Sequence, residues 1–420
     1  MKTRPSLVVT VCLLVAVALA GSVASTSSSY NGVTANPTSN FTAAASFGCT
    51  PPTVNPVWMT GFEHGVNAAT TGSGLLDVDW NSSATITSDT AVKRNGSYAL
   101  KIVKTSTSFT GGRSRTVASS MVVFRIAFRL NALPSGDVRD FLGVWDSTGD
   151  DALNIGYNNA SQKLSVGFSG GTQRLSASTV SAATWYLLDV RANYGVNTHT
   201  ADWQLNGTPQ TQATKASSAE TPNEIWLGPD NSDAVITVWF DDFIISQTSG
   251  DYPIGDGKVL GLSPDAMGTS SDPSSRLSTE AGAWGSTTWN KLDEVPMTAT
   301  SDYVRQTVAD TSAYLEMTFG DTSETCINAV QGELAYHAAG TTANVNPKTS
   351  LFDSSTERVV YQGNMATTTL SYKSAIVAPA AGTWSQTKVN GLKARIGYAG
   401  SSLGSQPYWD DLMVEYNVDL

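Results

Sequence analysis

The stretch "WFDDFIIS", residues 239–246, places two adjacent carboxylates inside a run that otherwise has the composition of a buried β-strand. A buried, ionised carboxylate is costly unless it is paired, hydrogen-bonded or bound to a metal. Because side chains alternate between the two faces of a strand, we expect Asp241 to face inward and Asp242 to face the other side or solvent. The pattern recurs as "YWDDLMVEY" at residues 408–416. The repetition predicts two domains that each close with the same kind of strand.

The composition is typical of a secreted, all-β protein. The chain of 420 residues has only 15% charged residues, 36 glycines and 11 tryptophans, and a formal net charge of −11. This length favours two domains of moderate size over one. Because the chain is acidic and has no Lys/Arg-rich block, we do not expect it to bind nucleic acid or an anionic membrane.

The N-terminus is typical of a signal peptide. A short basic region precedes the apolar run of residues 7–20, which is short for a bilayer span, and small residues follow it. We therefore predict that residues 1–24 are removed and that the mature chain, with no further membrane span, is secreted or lies at a cell surface. A retained N-terminal anchor is the alternative.

The rest of the chain divides into four segments. Residues 25–56 are rich in Ser, Thr, Asn and Pro and are predicted to be a flexible tether. Residues 57–248 contain short β-branched and aromatic runs between turn residues, residues 249–257 are predicted to be a linker, and residues 258–420 form a second strand-rich region. No stretch has a sustained helical period. We predict an all-β chain with two jelly-roll β-sandwiches in tandem.

The first region resembles concanavalin A-like, laminin-G-like (LamG-like) jelly rolls and the related carbohydrate-binding modules. The resemblance depends on the order of four runs more than on any one of them. They are "GFEHG" at 61–65, "GSYALKI" at 96–102, "ATWYLLDVRANYGVNTHTADWQLNGT" at 183–208 and "VWFDDFIIS" at 238–246. The second region, which closes with "PYWDDLMVEY" at 407–416, resembles the C-terminal half of secreted or phage-associated structural proteins.

The resemblance implies a structural calcium ion near the rim of the first sandwich. In such domains a Glu of the first strand and an Asp of the last often hold calcium, and the matching positions here are Glu63 and Asp241 or Asp242. Carboxylates are the hard oxygen ligands that calcium prefers. The alternative is that Asp241 accepts backbone N–H bonds or pairs with an arginine, without a metal. The second region lacks a "GFE" opening, so the implication does not extend to Asp410 or Asp411.

The sequence lacks the spacing of catalytic carboxylates that enzymes of this fold class need. Jelly-roll glucanases carry Glu-x-Asp-x-x-Glu on one strand, and this spacing does not occur; Glu220 and Glu224 lie in an irregular Pro/Asn segment. The adjacent aspartates cannot replace such a pair, because neighbours in a strand point to opposite faces. Ser402 in "GSSLG" fits G-x-S-x-G but lies in a predicted loop of a β-domain. The sequence therefore predicts that the chain is not an enzyme.

Other candidate positions have simpler structural interpretations. Asp146, Asp150 and Asp151 could form a cation loop, but hairpin turns explain them more simply. His64 is expected to face solvent. Exposed tryptophans on a concave sheet could stack on sugars, whereas most tryptophans of a sandwich belong to its core; the candidates are Trp203, Trp226, Trp284 and Trp289.

Removal of the signal peptide would leave two cysteines, Cys49 and Cys326. In an oxidising compartment they could pair and tie the N-terminal segment to the second half of the chain. Two separate buried thiols are the alternative.

Two functions are consistent with these observations. The first is a non-catalytic secreted or virion-associated structural or adhesion protein, which the tether, the missing catalytic spacing and the paired domains favour. The second is a calcium-stabilised carbohydrate-binding protein that recognises a cell-surface or plant polysaccharide. A shallow aromatic-lined groove on the first domain would favour the second function, and a flat apolar patch would favour the first.

Overall fold

A computed structural model gives the fold of the chain. It describes residues 54–65, 78–80, 85–106, 112–145, 152–229, 234–269, 277–279, 288–293, 302–308, 310–342, 346–365, 368, 370–400 and 404–419. These residues form two antiparallel β-sandwiches in tandem, so the predicted fold class is confirmed. The predicted signal peptide lies outside the described residues, as does the predicted tether up to residue 53.

The strands of the first sandwich are short and alternate with tight turns. In chain order they are β1 (Pro56–Thr60), β2 (Val78–Trp80), β3 (Thr85–Asp89), β4 (Ala99–Lys104), β5 (Gly112–Thr116), β6 (Met121–Leu130), β7 (Val138–Trp145), β8 (Leu153–Asn158), β9 (Lys163–Phe168), β10 (Arg174–Thr179), β11 (Trp185–Asn193), β12 (Thr198–Leu205), β13 (Thr208–Pro209), β14 (Ala213–Ala216), β15 (Glu224–Leu227) and β16 (Ile236–Ser246).

These strands form two sheets around one apolar core. Sheet A has the order β13-β12-β11-β6-β16-β4-β3, with β1 beside β16 and β14 beside β12, and sheet B has the order β10-β9-β8-β7-β15-β5-β2. Aromatic residues from both inner faces meet in the core, where the rings of Phe128 and Phe141 lie 5.3 Å apart. Buried and less buried residues alternate along β12, whereas the central strands β6 and β16 are buried along almost their whole length.

The second sandwich repeats the architecture with longer central strands. Its strands are β17 (Gly257–Leu262), β18 (Pro264–Met267), β19 (Leu277–Thr279), β20 (Val304–Gln306), β21 (Tyr314–Phe319), β22 (Ile327–Ala338), β23 (Pro347–Asp353), β24 (Thr356–Gln362), β25 (Ser371–Val377), β26 (Lys393–Tyr398) and β27 (Pro407–Asp419). Sheet C has the order β19-β20-β27-β22-β25 with β17 beside β27, and sheet D has the order β18-β21-β26-β23-β24.

Helical structure is sparse in the part of the chain that the structure describes. A short α-helix, α1 (Gln386–Asn390), begins after Ser385, whose side chain accepts a hydrogen bond from the backbone N–H of Lys388. Two 3₁₀ turns occupy Ser249–Asp251 and Thr288–Lys291. None of the described helices has the length and apolar character needed to cross a membrane.

A β-bulge in β16 changes the predicted orientation of its two aspartates. Asp241 pairs with Ala127 of β6, but the next pairing joins Ile244 to Arg125, so β16 has one residue more than its partner at this point. Asp242 lies in the bulge with φ of +52°. Both Asp241 and Asp242 have an exposed fraction of 0%. The prediction that Asp242 is the more exposed of the two was wrong, because a bulge interrupts the alternation of faces.

The second Asp-Asp strand, β27, also contains a bulge. Trp409 pairs with Tyr336 of β22 and Asp411 pairs with Ala335, which leaves Asp410 without an opposite residue. Asp410 and Asp411 are 1% and 0% exposed. The repeated sequence pattern therefore corresponds to a repeated structural device in which both aspartates become buried.

The connection between the two sandwiches is packed. Ile254 is buried, and its backbone N–H donates to Asp189 Oδ1 at 3.0 Å. Asp251 Oδ2 accepts a hydrogen bond from the backbone N–H of Asn55 at 2.9 Å. The predicted linker thus lies against the first sandwich. The apolar residues that join the two sandwiches are Val54, Met59, Val123, Ile244, Ile254, Val259 and Ala329.

Candidate functional site

The candidate site is built around a turn at residues 61–65, which we call the junction turn. It follows β1, and the backbone N–H of Gly65 donates to Phe62 O at 3.0 Å. Phe62 has φ of +61°, an uncommon conformation for a residue with a side chain, so its surroundings must hold it. The Phe62 ring packs in the core of the first sandwich. The next two residues, Glu63 and His64, carry the chemistry of the site.

Glu63 directs its carboxylate into the first sandwich. The backbone N–H of Ser97 donates to Glu63 Oε2 at 2.8 Å and to Oε1 at 3.1 Å. Glu63 is only 4% exposed, and burial raises the pKa of its carboxyl group to about 8. A Cβ atom at Gly96, where φ is +58°, would lie 1.7 Å from Glu63 Oε1. The loop therefore needs glycine at this position to seat the carboxylate.

Asp241 faces the same loop. Its Oδ2 accepts hydrogen bonds from the backbone N–H groups of Arg94 at 2.7 Å and of Asn95 at 3.2 Å. Burial, reinforced by the charges of Asp242 and Glu63, raises the pKa of Asp241 well above 3.8. The backbone hydrogen bonds expected from the metal-free alternative are thus present, but they leave two buried carboxylates near each other.

Asp242 has a different environment from Asp241, because an arginine neutralises it. Arg94 Nη1 and Asn95 Nδ2 each donate to Asp242 Oδ2 at 2.7 Å, and the backbone N–H of Val259 donates to Oδ1 at 2.7 Å. Arg94 Nη2 also donates to the exposed Asp256 at 2.6 Å. Asp242 is therefore an ion-paired residue that joins the loop of the first sandwich to β17 of the second.

Glu63 and Asp241 fit a hard divalent cation better than Asp242 does. Both are buried carboxylates whose pKa values are raised by burial and whose hydrogen bonds come from backbone N–H groups, whereas Asp242 is paired with the Arg94 guanidinium. Among the described residues, no three His, Cys, Asp or Glu side chains are arranged to hold a metal ion. A calcium ion bound by Glu63 and Asp241 would need backbone or amide oxygens and water as its other ligands.

His64 lies between two carboxylates of the second sandwich. Its Nε2 is 2.5 Å from Glu333 Oε2, and its Nδ1 is 2.6 Å from Asp411 Oδ2. Burial alone lowers the pKa of His64, but the charges of Glu333 and Asp411 outweigh it and raise the pKa well above 6.5. The ring is 1% exposed, so the prediction of a solvent-facing histidine was wrong. Asp411 is 347 residues away in sequence, and no local pattern reveals such a partner.

Glu415 of β27 binds the backbone of the same turn. Its Oε1 accepts hydrogen bonds from Thr60 Oγ1 at 3.1 Å, from the N–H of Gly61 at 3.0 Å and from the N–H of Glu63 at 3.3 Å. Converging N–H groups of this kind form a concave anion-binding surface. The second sandwich therefore holds the turn from which the Glu63 side chain projects.

Two more polar side chains connect the sandwiches. Gln331 pairs with the backbone of Met59, accepting its N–H at 3.1 Å and donating to its carbonyl at 2.6 Å. Arg125 Nη2 donates to Asn417 Oδ1 at 3.1 Å, and burial lowers the pKa of this arginine. The interface between the sandwiches is thus a buried, hydrogen-bonded polar layer beside a small apolar cluster.

A second histidine–aspartate pair lies farther along β22 and β27. His337 Nδ1 is 2.7 Å from Asp410 Oδ2. The rings of Tyr303 and Tyr408 stack beside it, with centroids 4.5 Å apart and an interplanar angle of 4°. The two adjacent aspartates of β27 thus bind two different histidines.

A groove of about 460 Å³ lies on the outer face of sheet D. Arg395 lines it, and the guanidinium carbon lies 4.3 Å from the ring centroids of both Tyr314 and Phe352. Arg395 Nε donates to Glu316 Oε2 at 2.6 Å. The groove therefore combines two half-buried aromatic rings with a guanidinium whose position is fixed by a buried carboxylate.

The rim of this groove is polar. Lys348 Nζ lies 2.7 Å from Glu357 Oε1, and both residues line the groove. Burial opposes ionisation of Glu316, the carboxylate that binds Arg395, but the bonds from Lys393 and Arg395 prevail and lower its pKa below 4.5. The prediction concerned a groove on the first sandwich, whereas this one is on the second.

The structure describes some of the remaining residues that the sequence suggested as site candidates, and others lie outside the described residues. Trp203 and Trp226 are 1% and 0% exposed, in agreement with the core interpretation, and Trp289 packs against the second core. Glu224 lies in β15 and is 8% exposed. Cys326 is disulfide-bonded, and its pairing with Cys49 stays a prediction, since every other cysteine is outside the described residues. The other candidates outside the described residues are Asp146, Asp150, Asp151, Trp284 and Ser402.

Neither a protein-family model nor a curated protein matches the sequence. Solved structures similar to this chain include the cellulose-induced protein Cip1, with 22% identity, 45% of this chain and 97% of that chain covered, and a TM-score of 0.35. Another is domain 4 of AbnA, a GH43 extracellular arabinanase from Geobacillus stearothermophilus in complex with arabinotriose, with 14% identity, coverages of 46% and 94%, and a TM-score of 0.32. A third is the β-glucanase of Bacillus licheniformis, with 10% identity, coverages of 36% and 78%, and a TM-score of 0.28.

The β-sandwich fold rests on the sheets of this chain, and the similar structures bear on one prediction. The prediction that the chain is not an enzyme was wrong, because it treated a single missing spacing as decisive, while the similar structures include a β-glucanase and a domain of an arabinanase. At these identities the comparisons concern the fold alone and assign no activity to this chain.

Proposed function

We propose that this chain is an exported, calcium-stabilised carbohydrate-binding protein and that its saccharide site is the groove on sheet D. The single observation that carries the proposal is the arrangement of Arg395 between Tyr314 and Phe352, at 4.3 Å from both rings. A volume of about 460 Å³ lies in the range of ligand sites.

The chemistry of the groove suits a saccharide. A sugar ring presents an apolar C–H face, which packs on an aromatic ring, and hydroxyl groups, which need donors and acceptors at its edge. Tyr314 and Phe352 supply the aromatic surface, while Arg395, Lys348 and Glu357 supply polar groups around it. Because Arg395 and Lys348 are each paired with a carboxylate, their side chains are held in place before a ligand arrives.

Calcium would act on the first sandwich and not on the saccharide directly. Glu63 and Asp241 supply its two carboxylate ligands, and the bound ion would offset the cost of burying both charges. Asp242 is left out of the ligand set because Arg94 already neutralises it.

A structural or adhesion role through an apolar surface has less support. The exposed large apolar residues that the structure describes are on separate elements and do not form a flat patch; they are Val57, Leu175, Val196, Val235, Val308 and Val359. Adhesion through a cell-surface glycan would use the same groove, and association with a virion is a separate hypothesis on which the groove has no bearing.

The proposal is tested by a glycan array that includes plant and cell-surface polysaccharides, run with calcium and with chelator. We expect the unaltered protein to retain at least one polysaccharide, and Tyr314→Ala and Phe352→Ala each to weaken that binding about tenfold. The matched control is Leu175→Ala in a groove of the first sandwich that has no half-exposed aromatic ring. Absence of binding to every polysaccharide, or binding that both aromatic variants retain in full, would contradict the proposal.

A further inference from the structure

The junction turn belongs to two sites at once. The side chain of Glu63 reaches the loop of the first sandwich, where Ser97 donates to it, while its own backbone N–H donates to Glu415 of the second sandwich at 3.3 Å. The next side chain, His64, contacts a carboxylate of the second sandwich with each of its ring nitrogens. The position of a cation ligand in one sandwich is thus linked to contacts made by the other.

The hold of the second sandwich on the turn is extensive. Glu415 accepts three hydrogen bonds from the turn and the residue before it, and Glu333 and Asp411 contact both nitrogens of the His64 ring. All of these side chains are buried, so their contacts are not weakened by solvent. The left-handed conformation of Phe62 adds to the need for such support, because it is not favoured by the turn itself.

A second connection lies on the opposite side of the same site. Asp242 follows Asp241 in the bulge of β16, and it accepts the backbone N–H of Val259 in β17 at 2.7 Å. Undocking of β17 would therefore remove a hydrogen bond from the residue next to the other carboxylate. Glu63 thus contacts the second sandwich through its own backbone N–H, and Asp241 is one residue away from such a contact.

We propose that the second sandwich completes the cation site of the first, with Glu415, Asp411 and Glu333 as positioning residues that hold the junction turn so that Glu63 and Asp241 face a common ion. The inference rests on the proposed calcium site. Because coupling between two equilibria is reciprocal, calcium also strengthens the docking of the two sandwiches.

The test compares calcium affinities by isothermal titration calorimetry on the full chain. Asp411→Ala and Glu415→Ala are expected to weaken calcium binding about fivefold or more, the lower end of ordinary coupling between sites. Asp410→Ala is the matched control, because Asp410 is the neighbouring buried aspartate and bonds to His337 instead of the turn. Glu415→Gln, which keeps an acceptor oxygen, should restore part of the lost affinity.

A measurement on the unaltered protein adds a test that does not depend on the folding of the Asp411 and Glu415 variants. Calcium should slow amide hydrogen exchange at Gly61 and Glu63, whose N–H groups bond to Glu415, and Glu63→Gln should remove this effect. If the unaltered protein binds no calcium, the proposed calcium site fails and this inference fails with it. A different outcome overturns the inference alone: the unaltered protein binds calcium, the Asp411 and Glu415 variants bind it as tightly as the Asp410 variant, and calcium does not change amide hydrogen exchange at the junction turn. The calcium site would then stand without the proposed role of the second sandwich.

Discussion

Removal of the Arg94 side chain should destabilise the protein strongly, because it removes the guanidinium that is hydrogen-bonded to the buried Asp242 carboxylate. Arg94 Nη1 lies 2.7 Å from Asp242 Oδ2, and the carboxylate side chain is 0% exposed. Breaking a buried ion pair by removing one partner costs about 3–5 kcal/mol. Asp242 would keep donors from Asn95 and Val259, and Arg94 is 17% exposed, so we expect a loss near the lower end, about 3 kcal/mol.

Urea denaturation of Arg94→Ala, followed by tryptophan fluorescence, measures this loss. The matched control is Asp256→Asn, since Asp256 contacts the same guanidinium but is 59% exposed, and its loss should cost less than about 0.5 kcal/mol. The double variant Arg94→Ala with Asp242→Asn should recover part of the stability, because the unpaired charge is gone. A cost for Arg94→Ala below about 1 kcal/mol, or strictly additive costs in the double variant, would refute the assignment of Asp242 as a buried, ion-paired residue.

Three further predictions follow from the same geometry. Calcium should raise the melting temperature of the unaltered protein and of Asp242→Asn but not that of Glu63→Gln. Differential scanning calorimetry with calcium and with chelator measures this difference. Loss of the calcium response in Asp242→Asn would mean that Asp242 is a calcium ligand. Gly96→Ala should lower stability by about 1–3 kcal/mol in urea denaturation, because it combines a strained φ with a Cβ 1.7 Å from Glu63 Oε1, and unchanged stability would mean that the carboxylate is not seated there. Burial raises the pKa of Asp189 from 3.8 to about 6, so the folded state binds a proton more tightly than the unfolded state. This contribution to the free energy of unfolding should be lost as the pH rises from about 4 to 6, and Asp189→Asn should flatten the dependence of that free energy on pH. An unchanged dependence on pH would show that Asp189 does not titrate in this range.

The fold was predictable from the sequence because its signals are local. Short apolar runs between Gly, Asn and Asp residues indicate strands wherever they occur, and they recur on both sides of the connection at residues 249–257. The burial of Asp241 was predicted correctly but its face was not: the neighbouring Phe240 packs in the first core, so Asp241 lies on the opposite face of β16. The burial of Asp242 was not predicted, because a bulge depends on the register with β6, and the sequence of β16 alone does not specify that register.

The partners of the site residues could not be predicted for a different reason. His64 contacts Glu333 and Asp411, which come from strands of another sandwich, and one sequence gives no measure of which distant residues meet. The same limit applies to the groove on sheet D, where Tyr314 and Arg395 are on neighbouring strands but 395 − 314 = 81 positions apart in the chain. Properties of a side chain that depend on its own strand could be predicted from the sequence, whereas contacts between side chains of distant strands could not.

The two Asp-Asp strands, β16 and β27, have a common role, which the partners of their aspartates show. Asp242 of the first sandwich accepts the N–H of Val259 in the second, and Asp411 of the second binds His64, which follows the first strand of the first. Each closing strand therefore supplies a buried carboxylate to the opposite sandwich, and its bulge provides the additional buried position. Separation would remove the Val259 hydrogen bond from Asp242 and both carboxylate contacts from His64, so a chain cut after residue 257 should yield a first sandwich of clearly lower stability than the full chain. Equal denaturation midpoints for the two would show that the repeated pair serves each sandwich alone and not their junction.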